Sequence, residues 1–585
     1  MYNEWSLDVF YKGAEDPALQ LDMKKIEDCV AEYKSAVAAL DAEKPAESLR
    51  RVIDVKEEMG LLVRRLMGFF SLRRSANASD TAGAVYMTKI QGLMASNAKE
   101  NVIFNKFVGA IEDIDSVIAG DEVLSAYKFY FGEIKKSISH TLSDEAEEVF
   151  AKLSISGGRA WGDLFSYLTA NVEVDYKGEV TTLSAIRGLA ESDDATVRKE
   201  AYEAELACYS KIRDSIAFAL NSIKAQVNTE AELRGYADPL AMTLEDSRME
   251  KATLDAMLEA MREYMPKFRE YMRHKAKLLG YENGLPWYEM YAQIGDASAQ
   301  TFTVEEAHKY LVEHFASFAP DLAQMVDRAF KEEWIDFYPR DGKQGGAFCA
   351  GVEHLNQSRI LTNFDGTFSD VVTLAHELGH AFHNQCISGH KTLNRDYSMP
   401  VAETASTFNE CVVMAAAIAG AKDNAEKLAL IESQLQDATQ IICDIYSRYR
   451  FETAVFENRE EQFMHANTLC DMMLNAQKQS YGDGLDHSCL HPFMWVCKGH
   501  YYGPTFYNVP YAFGGLFARG LFAQYEQAGA SFIPKYKKLL HTTPVATAED
   551  TAAVAGIDLT DKNFWRSALQ TVADQIDLFC QLVEG

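Results

Sequence analysis

Apolar residues spaced by threes and fours recur through most of this 585-residue chain, and no other feature limits its fold so strongly. That spacing follows the 3.6-residue helical turn and collects the apolar side chains on one face. The stretches ALQLDMKKIEDCVAEYKSAVAAL, ESLRRVIDVKEEMGLLVRRLMGFF and SDEAEEVFAKLSISGG all carry it. Only 13 prolines interrupt the chain, which suits long helices. The reading is a mainly α protein, large and helical. A chain this long exceeds one minimal core, so at least two structural units are expected. There is no fixed-period repeat and no low-complexity run.

Two stretches break the helical pattern. VEVDYKGEVTTLS (172–184) alternates around Lys177-Gly178 and reads as a β-hairpin. A capped helix start, SDDATVRKEAYEA, follows it, so we expect an N-terminal helical domain over 1–190 and a second, larger unit over 191–585. The second break, DGKQGGAFCAGVEHLNQSRILTNFDGTFSD (341–370), predicts a small sheet embedded in helices, with a strand over 359–364. Gly345-Gly346 is not followed by G-K-[ST], so it reads as a turn or a close backbone approach to a ligand rather than a phosphate loop.

The net charge of −29 argues against nucleic acid or an anionic membrane surface as the main partner. The longest apolar run, 411–421, is too short to span a bilayer, and the N-terminus lacks the basic and apolar regions of a secretory signal. Ten cysteines with no C-x-x-C pair are better read as reduced thiols than as a disulfide framework. The expectation is a cytoplasmic protein.

One helix carries chemistry. In VVTLAHELGHAFHN (371–384), His376 and His380 lie four apart on one face, with Glu377 about 100° round the helix. Two imidazoles so placed can converge on one ion, with the glutamate touching what the ion holds; this is the H-E-x-x-H device of zinc peptidases. The plain alternative is a pair of histidines hydrogen-bonded to nearby backbone. Thr367 or Ser369 is the expected N-cap, with Asp370 in the first turn. Val371, Val372, Leu374, Ala375, Leu378 and Ala381 make the helix apolar, so its polar residues need partners.

A catalytic zinc takes three protein ligands and keeps one position open. The extended metzincin spacing would need glycine and histidine where the chain has His383 and Cys386, so the third ligand must lie elsewhere. Pro400 opens the apolar helix PVAETASTFNECVVMAAA, and on it Glu403 and Glu410 are seven apart, on one face. Carboxylates on a buried helix require a cation or a donor. Glu403 is assigned as third ligand, and Glu410 as the acceptor that orients a ligand histidine.

His376-Glu377-Leu378-Gly379-His380 with Glu403-Thr-Ala-Ser406 and Glu410 resembles the zinc site of the thimet oligopeptidase and oligoendopeptidase F family. KQGGAFC and SRILTNFDGTFSDVVTLAHELGHAFH are similar to that family's active-site region, and MWVCKGHYYGPTFYNVPYAFG (494–514) to its C-terminal His/Tyr motif. WSLDVFY and the hairpin-plus-helix near 172–200 fit as well, so the likeness covers nearly the whole chain. It implies a helical enzyme with a deep channel between two helical units, a small sheet beside the zinc helix, and hydrolysis of short peptides by one Zn2+ per chain. It also implies that His500, Tyr507 and Tyr511 donate to the carbonyl oxygen under attack, although Val509 and Pro510 stand where the family more often has tyrosine or polar residues. Tyr501 and Tyr502 share that aromatic stretch. The neighbouring His487, Cys489, His491 and Cys497 match no standard zinc spacing.

In the chemistry these parts suggest, Glu377 is the general base and a tyrosine, Tyr511 or Tyr507, stabilises the oxyanion. The 359–364 strand, as a sheet edge, would pair with the substrate backbone. Gly346, Ala347, Arg359, Leu361 and Asn363 are therefore the candidate substrate contacts. The expected partners are short peptides. Two rivals stay open: a carboxypeptidase or dipeptidyl carboxypeptidase, marked by an arginine or lysine aimed at the substrate's terminal carboxylate, and a peptide-binding protein whose zinc is closed by a fourth ligand such as His383 or His390.

Overall fold

The computed structural model describes residues 4–295 and 301–584. Helices dominate it, and among the described residues the named strands form one hairpin and one three-stranded sheet. The apolar side chains gather into three cores, and the sheet stands between two of them.

The first core is N-terminal. Helices Pro17–Ala38 and Pro45–Ala76 pack together and bury Leu19, Ile26, Tyr33, Leu49, Ile53, Leu66 and Phe70. Their apolar faces follow the spacing in the sequence, and each helix starts with proline, whose missing N–H costs nothing there. This core closes with Phe131 and Ile134.

The hairpin forms as its sequence predicts, Glu173–Tyr176 pairing with Glu179–Thr182. Its turn residues Lys177 and Gly178 both take positive φ, 53° and 83°, matching the right-handed twist of the strands. A short helix, Leu183–Gly188, follows it, and Asp194 caps the longer helix Ala195–Tyr209 beyond. The packing nevertheless places the hairpin differently from a boundary near residue 190. Val174, Ile186, Ala201 and Ile216 share the second core with Phe451, Leu469 and Trp495, because a two-stranded hairpin buries too little to stand alone. The N-terminal core thus ends before the hairpin, which belongs with the larger unit.

The third and largest core holds the helix Phe368–Cys386 and the helices around it. The sheet has the order Ile335–Asp336, Gln357–Leu361, Phe348–Val352, parallel between the first two and antiparallel between the last two. Successive residues of its middle strand point to opposite faces, so Ile360 enters the largest core and Leu361 the N-terminal one. The strand that carries Arg359 is therefore central, and it is not the edge we expected. Phe348–Val352 has a strand on one side only among the described residues, and it lies against the Phe368–Cys386 helix.

Candidate metal centre

The helix Phe368–Cys386 begins with a reciprocal cap. The Thr367 hydroxyl accepts from the Asp370 N–H, and the Asp370 carboxylate accepts from the Thr367 N–H at 2.9 Å. Val371, Leu374, Ala375 and Leu378 are fully buried, which fixes the rotation of the helix and turns His376 and His380 to one side.

The helix expected from Pro400 is broken. A short helix, Met399–Ala402, stops at Glu403, and Thr404–Gly420 starts after it. Glu403 is the joint, and the break brings its carboxylate to the histidines. Glu403 Oε2 lies 3.3 Å from His376 Nε2 and 3.3 Å from His380 Nε2. Ligands arranged tetrahedrally at zinc–ligand distances stand about 3.3 Å apart, so the spacing suits that ion. Ser406 Oγ donates to the same oxygen at 2.7 Å and holds it. His376 Nδ1 donates to Glu410, which leaves Nε2 as the nitrogen facing Glu403. Among the described residues these three form the only His/Cys/Asp/Glu cluster able to hold a metal ion.

Electrostatics point the same way. Burial would lower the His376 pKa, but hydrogen bonds to Glu403 and Glu410 carry it up to about 10. Burial would raise the Glu403 carboxyl, yet the two histidines hold it well below the usual carboxylate range. The pocket demands positive charge. Glu377 is 5% exposed, and its Oε2 is buried with no hydrogen-bond partner. Burial pushes its pKa up, with the histidines opposing. A lone carboxylate oxygen beside a cation site suits a group that takes a proton from something the cation holds.

Two glycines make this closeness possible. A Cβ on Gly379 would stand 2.4 Å from the Ala405 carbonyl oxygen and 2.6 Å from Ser406 Cα. On the far side, a Cβ on Gly514 would stand 3.1 Å from Glu403 Cβ. Neither role is visible in the sequence, because both depend on which helix returns against which.

The C-terminal aromatic stretch forms the opposite wall. Tyr511 lines, with His376 and Glu403, a cavity of about 810 Å³. Its hydroxyl donates to Tyr507 at 3.0 Å, and burial pushes its pKa up to about 12, with Tyr507 and the charge of Glu403 adding, so it stays a donor. His500 packs against Tyr507, ring centroids 5.2 Å apart. Arg448, paired with Asp444, donates to Asn508 Oδ1 at 2.7 Å, and that oxygen lies 2.8 Å from His500 Nδ1. Arg448 itself stands 3.2 Å from the same ring nitrogen, so Asn508 and Arg448 together fix the ring. Burial, with Arg448 adding, lowers the His500 pKa and keeps the ring neutral. Tyr501 and Tyr502 are buried core residues, away from this role.

Other expected contacts fall elsewhere. Arg359 is fully buried, and its guanidinium donates to the Ser6 carbonyl at 2.9 Å and the Ser358 carbonyl at 2.8 Å. Leu361 is fully buried in the N-terminal core. Both are structural, because their side chains are buried and a central strand has no free edge. Asn363 donates to the Gln344 and Gly346 carbonyls, at 3.0 and 2.8 Å, and so pins the glycine loop. Gly346, at φ 77°, and Ala347 lead into the edge strand, where burial, with the nearby Glu377 charge adding, pushes the Cys349 thiol up. His383 hydrogen-bonds with Thr543 at 2.8 Å and His390 with the His541 carbonyl at 2.7 Å, so neither approaches the three metal-binding groups. His491 sits 3.3 Å from Glu205, and Cys497 3.0 Å from Arg187, in a separate cluster.

The family described as Peptidase family M3 matches residues 188–571, and that described as Oligopeptidase F matches 111–173. The Group B oligopeptidase PepB of Streptococcus agalactiae is 25% identical over 545 residues, 91% of this chain and 90% of that one. The crystal structure of oligoendopeptidase-F from Enterococcus faecium superposes with a TM-score of 0.71 at 17% identity, covering 97% of this chain and 99% of that one. A Chlamydophila abortus protein shares the fold with a TM-score of 0.83 at 18% identity, covering 98% of each chain.

Proposed function

The chain belongs to peptidase family M3 and is a metal-dependent peptidase that hydrolyses oligopeptides; from that premise we propose that the metal is one zinc per chain, held by His376, His380 and Glu403. The observation that carries this is the Glu403 carboxylate oxygen 3.3 Å from both imidazole nitrogens, with the unpartnered Glu377 carboxylate beside them.

When bound, the zinc supplies Lewis acidity to the attacking water and the scissile carbonyl. The chain's own residues do the rest. Glu377 takes a proton from the water and passes it to the departing amine. Glu410 holds His376 in the tautomer that presents Nε2. On substrate binding the Tyr511 O–H turns from Tyr507 to the carbonyl oxygen as that oxygen gains charge, and Tyr507 donates to Tyr511 in its place. His500, held by Asn508 and Arg448, donates to that oxygen together with Tyr511. The edge strand Phe348–Val352, entered through Gly346 and Ala347, pairs with an extended substrate backbone, a contact indifferent to side chains. We also place the protein in the cytoplasm, where its ten unpaired cysteines stay reduced; among the described residues no helix is long and apolar enough to cross a membrane.

The test is chelation. One zinc per chain should be found, hydrolysis of short peptides should stop when it is removed, and zinc should restore it. Hydrolysis that survives complete metal removal would contradict the proposal.

A further inference from the structure

The helix Val509–Ala528 carries Tyr511 near its start and Arg519 eight residues later. At about 1.5 Å per residue they lie about 12 Å apart along the axis, turned by about 80°. Both line the same cavity of about 810 Å³, a volume typical of ligand sites. Arg519 is 9% exposed, and among the described residues it has neither a hydrogen bond nor an ion pair. The rest of the molecule treats such groups otherwise: the buried Arg198, Lys224 and Lys275 are each within 2.6 Å of a carboxylate.

Carboxylates do stand near Arg519, and each is engaged or out of reach. Glu410 and Asp437 line the same cavity, while Glu526 and Asp574 line a smaller one that Arg519 also borders. Glu410 is held by His376. Asp437 is pushed up to about 6 by burial and by the charge of Glu410, against the pull of Arg519. Burial also raises Glu526, with Asp574 adding. A guanidinium cannot lose its proton to escape burial, and its planar fork suits a carboxylate.

We propose that Arg519 binds the C-terminal carboxylate of the peptide substrate, at the far end of the cavity that opens on the metal-binding groups. This rests on the peptidase reading above. About 12 Å of extended chain is three to four residues, so the cavity would hold about three residues on the leaving side of the scissile bond. A terminal carboxylate is the one anion that every peptide brings whatever its sequence, as backbone pairing at the edge strand also requires. The consequence is a preference for cutting near the C-terminus, superimposed on a site able to cut internally.

The experiment uses the zinc-loaded full chain and one peptide in three forms: free acid, C-terminal amide, and an amide with glutamate three residues beyond the scissile bond. The ratio of kcat/KM for free acid over amide is expected to be about 10- to 100-fold, the worth of a hydrogen-bonded charge pair. It should fall to about one in Arg519→Gln and to an intermediate value in Arg519→Lys, with thermal melts showing both variants folded. A ratio near one in the unaltered enzyme overturns the proposal. So does an equal loss on both peptides in Arg519→Gln, which would mean that Arg519 only balances Glu410 and Asp437. An Arg519-dependent gain confined to the glutamate peptide also overturns it, since the bound group would then be a side chain. If the zinc-loaded enzyme cut none of the three, the peptidase reading itself would fall.

Discussion

The two walls of the cleft are built on different principles. One is a pair of helices, where His376, Glu377 and His380 take their places from the helical turn and Glu403 from a break seventeen residues before the C-terminus of its partner helix, Thr404–Gly420. The other is the stretch from His500 to Tyr511, made of a 3-10 turn, a loop and a helix start, where Phe506 takes φ 49°. That stretch is held from outside: Arg448 and Asn508 fix His500, and the Glu452 carboxylate accepts from the Phe506 N–H at 3.2 Å while paired with Lys224 at 2.6 Å. The lesson is a division of labour. Helical spacing places His376, Glu377 and His380, a helix break brings Glu403 to them, and long-range hydrogen bonds hold the stretch proposed to meet the substrate.

Substitutions should separate the walls. Glu377→Gln should lower kcat by about 10⁴-fold with zinc content unchanged, since the base is removed and the ligands are not. An empty site in that variant, or retained turnover, would move Glu377 out of its role. Tyr511→Phe should cost about 10²- to 10³-fold in kcat with metal again unchanged, the usual loss for one oxyanion donor. If Tyr507→Phe were the more damaging variant, the order of donation would be reversed.

Smaller effects test the supports. Glu410→Ala should weaken zinc affinity or activity by about 10- to 100-fold, because His376 loses the group that orients it. Asn508→Ala should cost up to about tenfold in kcat/KM and leave zinc affinity alone, as it releases His500 and one Arg448 hydrogen bond and touches none of the three clustered groups. Metal loss on removing Asn508, or none on removing Glu410, would erase the distinction between the walls.

Legibility followed the same division. The helical spacing, the cap at Thr367 and the hairpin turn at Lys177-Gly178 are local, so they could be read directly. The candidate ligands His376, His380 and Glu403 were legible because i, i+4 spacing and carboxylates on an apolar helix are sequence properties. The role of Gly379 was not, since it depends on Ala405 and Ser406 lying against it. Arg359 and Leu361 were misplaced as substrate contacts because strand order is a tertiary fact, and the middle strand looks like an edge strand in one dimension. Arg519 could not be singled out either: an arginine eight residues after a tyrosine is ordinary until the cavity around it is known.

The central claim is that one metal ion sits between His376, His380 and Glu403 and that hydrolysis depends on it. Zinc titration of Glu403→Ala, followed together with peptide hydrolysis, tests it most directly. The account predicts that this variant, folded as judged by its melt, binds no zinc at stoichiometric protein and hydrolyses no peptide. One tightly bound zinc per chain with turnover intact would contradict it.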